Sequence, residues 1–122
     1  MRVSYAIVFV SDMKRAVAFY RDVLGIPLRF ESPEWTELAT EGATVALHKG
    51  DRPAAAGDPR QNSAGLCRPG LSVPDLAEFH RRMIDKDVPC VQEPRDVFGA
   101  RIAQYADPDG LVLSVSEERP AR

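Results

Sequence analysis

Two halves of this 122-residue chain repeat the same order of secondary-structure patterns, and this repeat constrains the fold more than any other feature. Each half reads as a strand, a helix and then three strands. The segment "VSDM" at 10–13 is echoed by "VPDL" at 73–76, and "GIPL" at 25–28 by "DVPC" at 87–90. One half alone is too small to bury its sheet face, so we expect two sheets that pack edge to edge or curl around a shared cleft.

In the first half, an apolar run at 3–10 rich in β-branched and aromatic residues predicts a buried strand. Asp12 is placed as the N-cap of an amphipathic helix, and Gly25 is placed to end that helix in a left-handed conformation. The runs "EWTELAT" and "ATVALHK" predict two strands joined by a hairpin at Glu41 and Gly42. This half therefore contains a helix between its first strand and the remaining strands.

The second half follows a segment rich in Gly, Pro, Asp and Asn at 50–64, which we interpret as a linker. Asp75 is the expected N-cap of the second helix, and Glu78 three residues later completes a capping-box-like pair. The final strands, "ARIAQYA" and "LVLSVSE", are joined by "DPDG", whose Asp and Gly suit a tight turn. The run "LCRPGLSV" at 66–73 predicts the first strand of this half, and "VPCVQ" at 88–92 is extended. The pattern of the first half is thus repeated over 65–118.

Composition excludes several classes of function. The net charge is −2, and the 16 Lys and Arg residues are scattered, whereas a nucleic-acid-binding surface needs a clustered basic face. No apolar run approaches the roughly 20 residues of a membrane span, and the N-terminal run lacks the pattern of a signal peptide. Cys67 and Cys90 fit neither a disulfide framework nor a zinc site. We interpret them as free, buried thiols of a cytoplasmic protein.

The segments "VSDMKRAVAFYRDVLGIPLRF" at 10–30 and "ADPDGLVLSV" at 106–115 resemble the opening and closing motifs of the vicinal oxygen chelate superfamily. That superfamily includes glyoxalase I, extradiol dioxygenases, and fosfomycin and bleomycin resistance proteins. The resemblance covers about 3–117. It implies an α+β fold with two βαβββ modules that form a half-open barrel around a cavity. The chain 1–122 would then be a single domain, with module one at 1–49, a linker at 50–64 and module two at 65–118.

Metal-dependent members of the superfamily usually place a His on the first strand and a Glu on the last strand of each module. By this resemblance the four positions are Tyr5, Ala46, Arg68 and Ser114. None of these is a usual ligand, and a guanidinium, which stays protonated, would repel a cation. We therefore expect no metal and no cofactor, and metal-dependent glyoxalase or dioxygenase activity is disfavoured.

The resemblance also implies which side chains line the cavity. Tyr5, Ala46, Arg68 and Ser114 would face it, and His48, two residues beyond Ala46, would share its face by strand alternation. Trp35, the one tryptophan, would be a stacking platform for a flat ligand.

Other interpretations of these residues stay open from the sequence. Tyr5 and Trp35 could pack in the core, and Arg68 could pair with a carboxylate or face outward. His48 could belong to a displaced metal site.

We expect a metal-independent protein that binds a small organic ligand, such as an antibiotic or a metabolite. The alternative is a lyase, isomerase or dioxygenase acting in the same cavity, with His48 or Tyr5 as acid or base and with catalytic residues otherwise unknown. A third hypothesis is a partner-binding module with a filled core. We also expect a homodimer, by the resemblance and because pairing would cover sheet edges, and no nucleic-acid or membrane partner.

Overall fold

The computed structural model describes residues 1–50, 59–62 and 64–118. The chain divides into two compact units, Met1–Ala54 and Ala55–Arg122. In the first unit the elements are β1 (Tyr5–Val10), α1 (Met13–Val17), a π-helical turn (Ala18–Val23), β2 (Leu28–Phe30), β3 (Trp35–Leu38) and β4 (Thr44–Lys49). In the second unit they are a 3-10 helix (Pro59–Asn62), β5 (Gly70–Val73), α2 (Leu76–Asp85), β6 (Cys90–Val97), β7 (Ala100–Ala106) and β8 (Val112–Glu117).

Each unit contains one four-stranded mixed sheet, and the two sheets have the same topology. The strand orders are β1-β4-β3-β2 and β5-β8-β7-β6. In each sheet the first and last strands of the unit pair in parallel, and the other pairs are antiparallel. This arrangement confirms the predicted α+β fold of two βαβββ modules.

The helices of the two units begin in the same way. The Asp12 side chain accepts a hydrogen bond from the Arg15 backbone N–H at 3.1 Å, and Asp75 accepts one from Glu78 at 3.0 Å. Both cap residues have extended backbone angles, with φ of −136° and −137°. The sequence echo "VSDM" and "VPDL" therefore records two equivalent N-caps.

The helix of the first unit changes type after Val17. The Leu24 N–H donates to the Phe19 carbonyl at 2.9 Å, the spacing of five residues that defines a π-helical turn. Within this turn the adjacent residues Phe19 and Tyr20 are both buried, and their rings meet edge to face at 5.2 Å. The prediction therefore gave the position of the helix correctly, but it did not include the change from α-helix to π-helix.

The residues that follow the two helices adopt a left-handed conformation. Gly25 has φ of 87°, as predicted for a helix-terminating glycine. In the second unit Asp87 takes the matching position with φ of 57°. Asp is one of the few non-glycine residues that tolerates this region, which explains how "DVPC" replaces "GIPL".

Three differences from the sequence interpretation concern the second unit. The strand predicted around "LCRPGLSV" begins only at Gly70, because Pro69 lacks the N–H that a ladder position needs. The hairpin between β6 and β7 turns at Phe98 and Gly99, both with positive φ, and Phe98 is fully exposed. Cys67 is exposed and Cys90 half-buried, so the expectation of buried thiols was wrong.

The predicted linker at 50–64 lies largely outside the described residues. Among those that are described, no helix has the length and hydropathy that crossing a membrane requires.

Candidate functional site

The open side of the first sheet carries an unusual number of exposed rings. Along β1, Val8 and Val10 are buried, whereas Tyr5, Ile7 and Phe9 are 46%, 50% and 66% exposed. Because side chains alternate along a strand, the buried pair faces the helix and the exposed residues face away from it. The register places Phe9 opposite His48 of β4, and His48 opposite Trp35 of β3. We call this surface, with Tyr5, Phe9, Trp35 and His48, the aromatic face.

The four rings of the aromatic face contact one another. The Tyr5 and Trp35 ring centroids lie 5.9 Å apart at 65°, and those of Trp35 and His48 lie 6.0 Å apart at 90°. The Phe9 and His48 rings are 5.2 Å apart and tilted by 49°. These separations are typical of edge-to-face aromatic pairs. The rings therefore form a connected series across three strands and leave part of each ring exposed.

Ala46 lies beneath this surface. It stands opposite Ile7 of β1 and Glu37 of β3, and it is fully buried. A methyl group at this position adds neither charge nor bulk. The position that the resemblance assigns to a carboxylate thus carries a small apolar side chain, and the surface presents the surrounding rings.

A hydrogen-bonded chain holds Trp35 in place. The Trp35 Nε1–H donates to Glu37 Oε2 at 2.9 Å. Arg29 of β2 donates to Glu37 Oε1 at 3.0 Å and also to the Thr44 hydroxyl of β4. The indole N–H, followed by the Arg29 guanidinium, lowers the pKa of Glu37. The carboxylate is thus held in its charged form and fixes the orientation of the indole.

His48 has a defined tautomer. Its Nδ1 lies 2.8 Å from the Lys49 carbonyl oxygen, and a carbonyl only accepts hydrogen bonds. Nδ1 therefore carries a proton, and in the neutral ring Nε2 is left as an acceptor. The side chain is exposed, and Nε2 has no partner within the described residues.

A pocket of about 610 Å³ opens beside the aromatic face, at the start of β1. Tyr5, Arg29 and Thr44, which belong to the open side of the sheet, also form part of its wall. Its remaining walls come from the N-terminal segment and the β3–β4 turn, namely Arg2, Val3, Ser4, Glu41, Gly42 and Ala43. Its volume is within the range of small-molecule sites.

The open side of the second sheet has the same register and different chemistry. Ser114 stands between Gly70 of β5 and Gln104 of β7, as Ala46 stands between Ile7 and Glu37. Ser72 and Ser116 pair farther along, with their hydroxyl oxygens 3.4 Å apart. Hydroxyls and amides thus take the places that rings and a carboxylate take in the first sheet.

Arg68 lies two residues before β5. Its Nη2 donates to the Asn62 side-chain oxygen, and its Nε is buried without a partner among the described residues. Within the described residues no carboxylate pairs with Arg68, and its contribution to a ligand site stays a prediction. A buried N–H without an acceptor is costly, typically about 1–3 kcal/mol.

His80 contacts the core of the second unit. Its Nδ1 lies 2.8 Å from the Tyr105 hydroxyl, which is buried between β7 and α2. Burial raises the pKa of Tyr105 to about 12. The phenol stays protonated and shares one hydrogen bond with His80 Nδ1, and this pair is structural.

The donor set does not fit the metal of the superfamily. In the part of the chain that the structure describes, no three His, Cys, Asp or Glu side chains come together. On the aromatic face the two ligand types present are His48 and Glu37, and Glu37 already accepts from Trp35 and Arg29. The positions expected to hold a metal carry Tyr5, Ala46, Arg68 and Ser114, none of which suits a divalent cation.

The structure brings four of the six predicted site residues together. Tyr5, Trp35, Ala46 and His48 share the open side of the first sheet, so the interpretation of Tyr5 and Trp35 as core residues was wrong. Arg68 and Ser114 belong to the second unit, and convergence of all six on one cavity stays a prediction.

Sequence reasoning missed residues that lie on the same surface. Ile7 and Phe9 follow Tyr5 at intervals of two, and Glu37 follows Trp35 at the same interval, so alternation alone could have placed them. The role of Glu37 was missed because its partner Arg29 lies on another strand, and their contact forms only when β2 and β3 pair.

Known proteins resemble this chain in both sequence and fold. The model of the Glyoxalase/Bleomycin resistance protein/Dioxygenase superfamily matches residues 2–115. A phenazine antibiotic resistance protein, EhpR of Enterobacter agglomerans, is 30% identical over 112 residues, which cover 89% of this chain and 86% of that protein. Catechol-2,3-dioxygenase of Bacillus subtilis is 25% identical over 121 residues, 97% of this chain and 42% of the enzyme.

A solved structure adds the three-dimensional comparison. TnmS3, an antibiotic binding protein from Streptomyces sp. CB03234, superposes with a TM-score of 0.73 at 25% identity, covering 98% of this chain and 97% of that one. The family match over nearly the full length, the shared fold and the twice-repeated βαβββ topology agree. This chain belongs to the glyoxalase, bleomycin resistance protein and dioxygenase superfamily.

Proposed function

We propose that this protein binds a small, flat organic ligand without a metal ion, as an antibiotic-binding or metabolite-binding member of its superfamily. The observation that carries the proposal is the aromatic face. Four rings, joined in a series by three ring contacts, lie on the open side of a sheet, where core packing does not require them. An aromatic ligand that covers these rings would remove apolar surface from water.

The chemistry of the surface favours a planar ligand over a flexible one. Trp35 offers a large ring face and is fixed by Glu37, so little conformational entropy is lost when a ligand stacks on it. The pocket beside Tyr5 gives room for substituents. Arg68 and Ser114 remain the residues that we propose contact polar groups of the ligand.

Two relatives support the class of ligand. EhpR is named for resistance to phenazine antibiotics, and TnmS3 for antibiotic binding. Phenazine itself is a flat, three-ring aromatic and is therefore a suitable probe for the aromatic face.

The experiment is a titration of the purified protein with phenazine, followed by isothermal calorimetry and by Trp fluorescence. The chain has a single tryptophan, so the fluorescence signal reports on Trp35 alone. N-acetyltryptophanamide at matched absorbance controls for light absorption by the probe. We expect saturable quenching at one site per chain. Absence of saturable binding by both methods would overturn the proposal.

Variants locate the site. Trp35→Leu is expected to weaken phenazine binding about five- to 150-fold, since one well-stacked aromatic contact is typically worth about 1–3 kcal/mol. The matched control is Phe98→Asn, which removes an equally aromatic but fully exposed side chain from a hairpin tip outside the aromatic face. Calorimetry should give this control the wild-type affinity.

We also propose that the protein is a homodimer in the cytoplasm. The edge strand β1 exposes Ile7 and Phe9, and both cysteines are free thiols. Light scattering at micromolar concentration should give twice the mass of the chain, and a monomer mass would contradict the dimer.

Fractionation of the source cells should place the protein with cytoplasmic markers, and recovery with extracellular proteins would contradict that location.

A further inference from the structure

We propose that His48 accepts a hydrogen bond from the ligand, so that the preferred ligands are planar aromatics carrying an N–H or O–H donor at their edge. This inference rests on the proposed function and names the class of ligand within it. It depends on the tautomer of one imidazole and on the rings around it.

The first step is the direction of the His48 ring. Nδ1 donates to the Lys49 carbonyl 2.8 Å away, and this bond between adjacent residues occupies the side of the ring nearest the backbone. Nε2 is on the opposite side of the imidazole and is an acceptor in the neutral ring.

The second step is the position of that acceptor. The His48 ring contacts Phe9 at 5.2 Å and meets Trp35 at a right angle with centroids 6.0 Å apart. A ligand stacked on Trp35 would therefore have its edge close to the imidazole. The Trp35 N–H is not available to such a ligand, because it donates to Glu37.

The third step is selectivity. A ligand with a donor opposite Nε2 forms a hydrogen bond with it. A ligand without a donor at that edge displaces the water from Nε2 and forms no hydrogen bond to replace it. The site should therefore discriminate between two ligands of the same shape that differ only in one donor.

The experiment compares 2-aminophenazine with 2-methylphenazine, whose methyl group matches the amino group in size, at pH 8, where imidazoles are generally neutral. The first probe has N–H donors and the second has none. We expect calorimetry to show that the wild-type protein binds the amino compound about three- to tenfold more tightly. In His48→Phe, which keeps a ring against Phe9 and Trp35, we expect the two affinities to become equal.

Tyr5→Phe is the matched control, because it removes the other polar group of the aromatic face and leaves His48 intact. The preference for the amino compound should persist in it. Equal affinities in the wild type, or a preference that survives His48→Phe, would overturn the inference while leaving the proposed function in place. Failure of both probes to bind would overturn the two together.

Discussion

The indole N–H of Trp35 donates to the carboxylate of Glu37, two residues along the same strand, over 2.9 Å. Residues at this interval project from the same side of a strand, so the bond lies along the surface of the sheet. Arg29 binds the other carboxylate oxygen from the neighbouring strand. The orientation of the single tryptophan is therefore set by a polar chain on the open side of the first sheet, where its side chain is half-buried.

Substitutions of Glu37 should weaken ligand binding according to whether they remove the acceptor for the Trp35 N–H. Glu37→Leu abolishes the acceptor, and we expect a two- to tenfold loss of phenazine affinity with a shift of the single indole N–H resonance. Glu37→Gln keeps an acceptor oxygen and should restore most of the affinity. An indole resonance that is identical in wild type and Glu37→Leu would show that the bond is not formed in solution.

Alkaline pH should weaken the second unit through Tyr105. Burial raises the pKa of Tyr105 in the folded protein from 10.0 to about 12, so the unfolded chain loses this proton first. The stability that this group contributes is complete below pH 10 and is lost as the pH rises toward 12. Urea unfolding midpoints of Tyr105→Phe should fall less steeply over this interval than those of wild type. Tyr5→Phe, at an exposed position, is the control, and parallel curves for wild type and Tyr105→Phe would contradict the prediction.

The two N-caps, Asp12 and Asp75, should contribute equally to the free energy of unfolding. Asp12→Ala and Asp75→Ala each remove one side-chain bond to a backbone N–H in the first helical turn. We expect each to lower the free energy of unfolding by about 1 kcal/mol, with Ser at either position retaining most of the stability. Chemical denaturation measures this, and a change below about 0.3 kcal/mol at one cap alone would show that the repeat does not extend to energetics.

Substitutions at the two left-handed residues after the helices should change the stability of the protein in opposite directions. Gly25→Ala places a Cβ at φ of 87° and should cost about 1 kcal/mol, although nothing lies within 4 Å of that Cβ. Asp87→Gly relieves a non-glycine residue at φ of 57° and should raise stability by about 0.5 kcal/mol. Thermal unfolding measures both, and a destabilised Asp87→Gly would show that the Asp side chain contributes more than its backbone costs.

The fold could be predicted because its signals are local. The caps at Asp12 and Asp75 and the terminating Gly25 each depend on a few neighbouring residues. The prediction of a buried strand at 3–10 was wrong, because Val8 and Val10 alone are buried in β1 and the residues that alternate with them are exposed. The π-helical turn could not be predicted, because its hydrogen bond between Leu24 and Phe19 differs from an α-helical one only in spacing.

The site was predicted less completely because its contacts join different strands. Tyr5, Trp35 and His48 were found by position, but the role of Glu37 depends on Arg29 arriving from β2, which no spacing reveals. Arg68 donates to Asn62, which lies in a segment interpreted as a linker, and no spacing in the sequence indicates this contact.

The central claim is binding without a metal, and the most direct measurement is the phenazine dissociation constant before and after chelator treatment. The metal content of the same sample is determined by mass spectrometry. We predict equal dissociation constants, less than one tenth of an equivalent of any transition metal after treatment, and no change when Zn²⁺, Ni²⁺, Mn²⁺ or Fe²⁺ is added back. Binding that disappears on chelation and returns with one equivalent of a divalent metal would contradict the account.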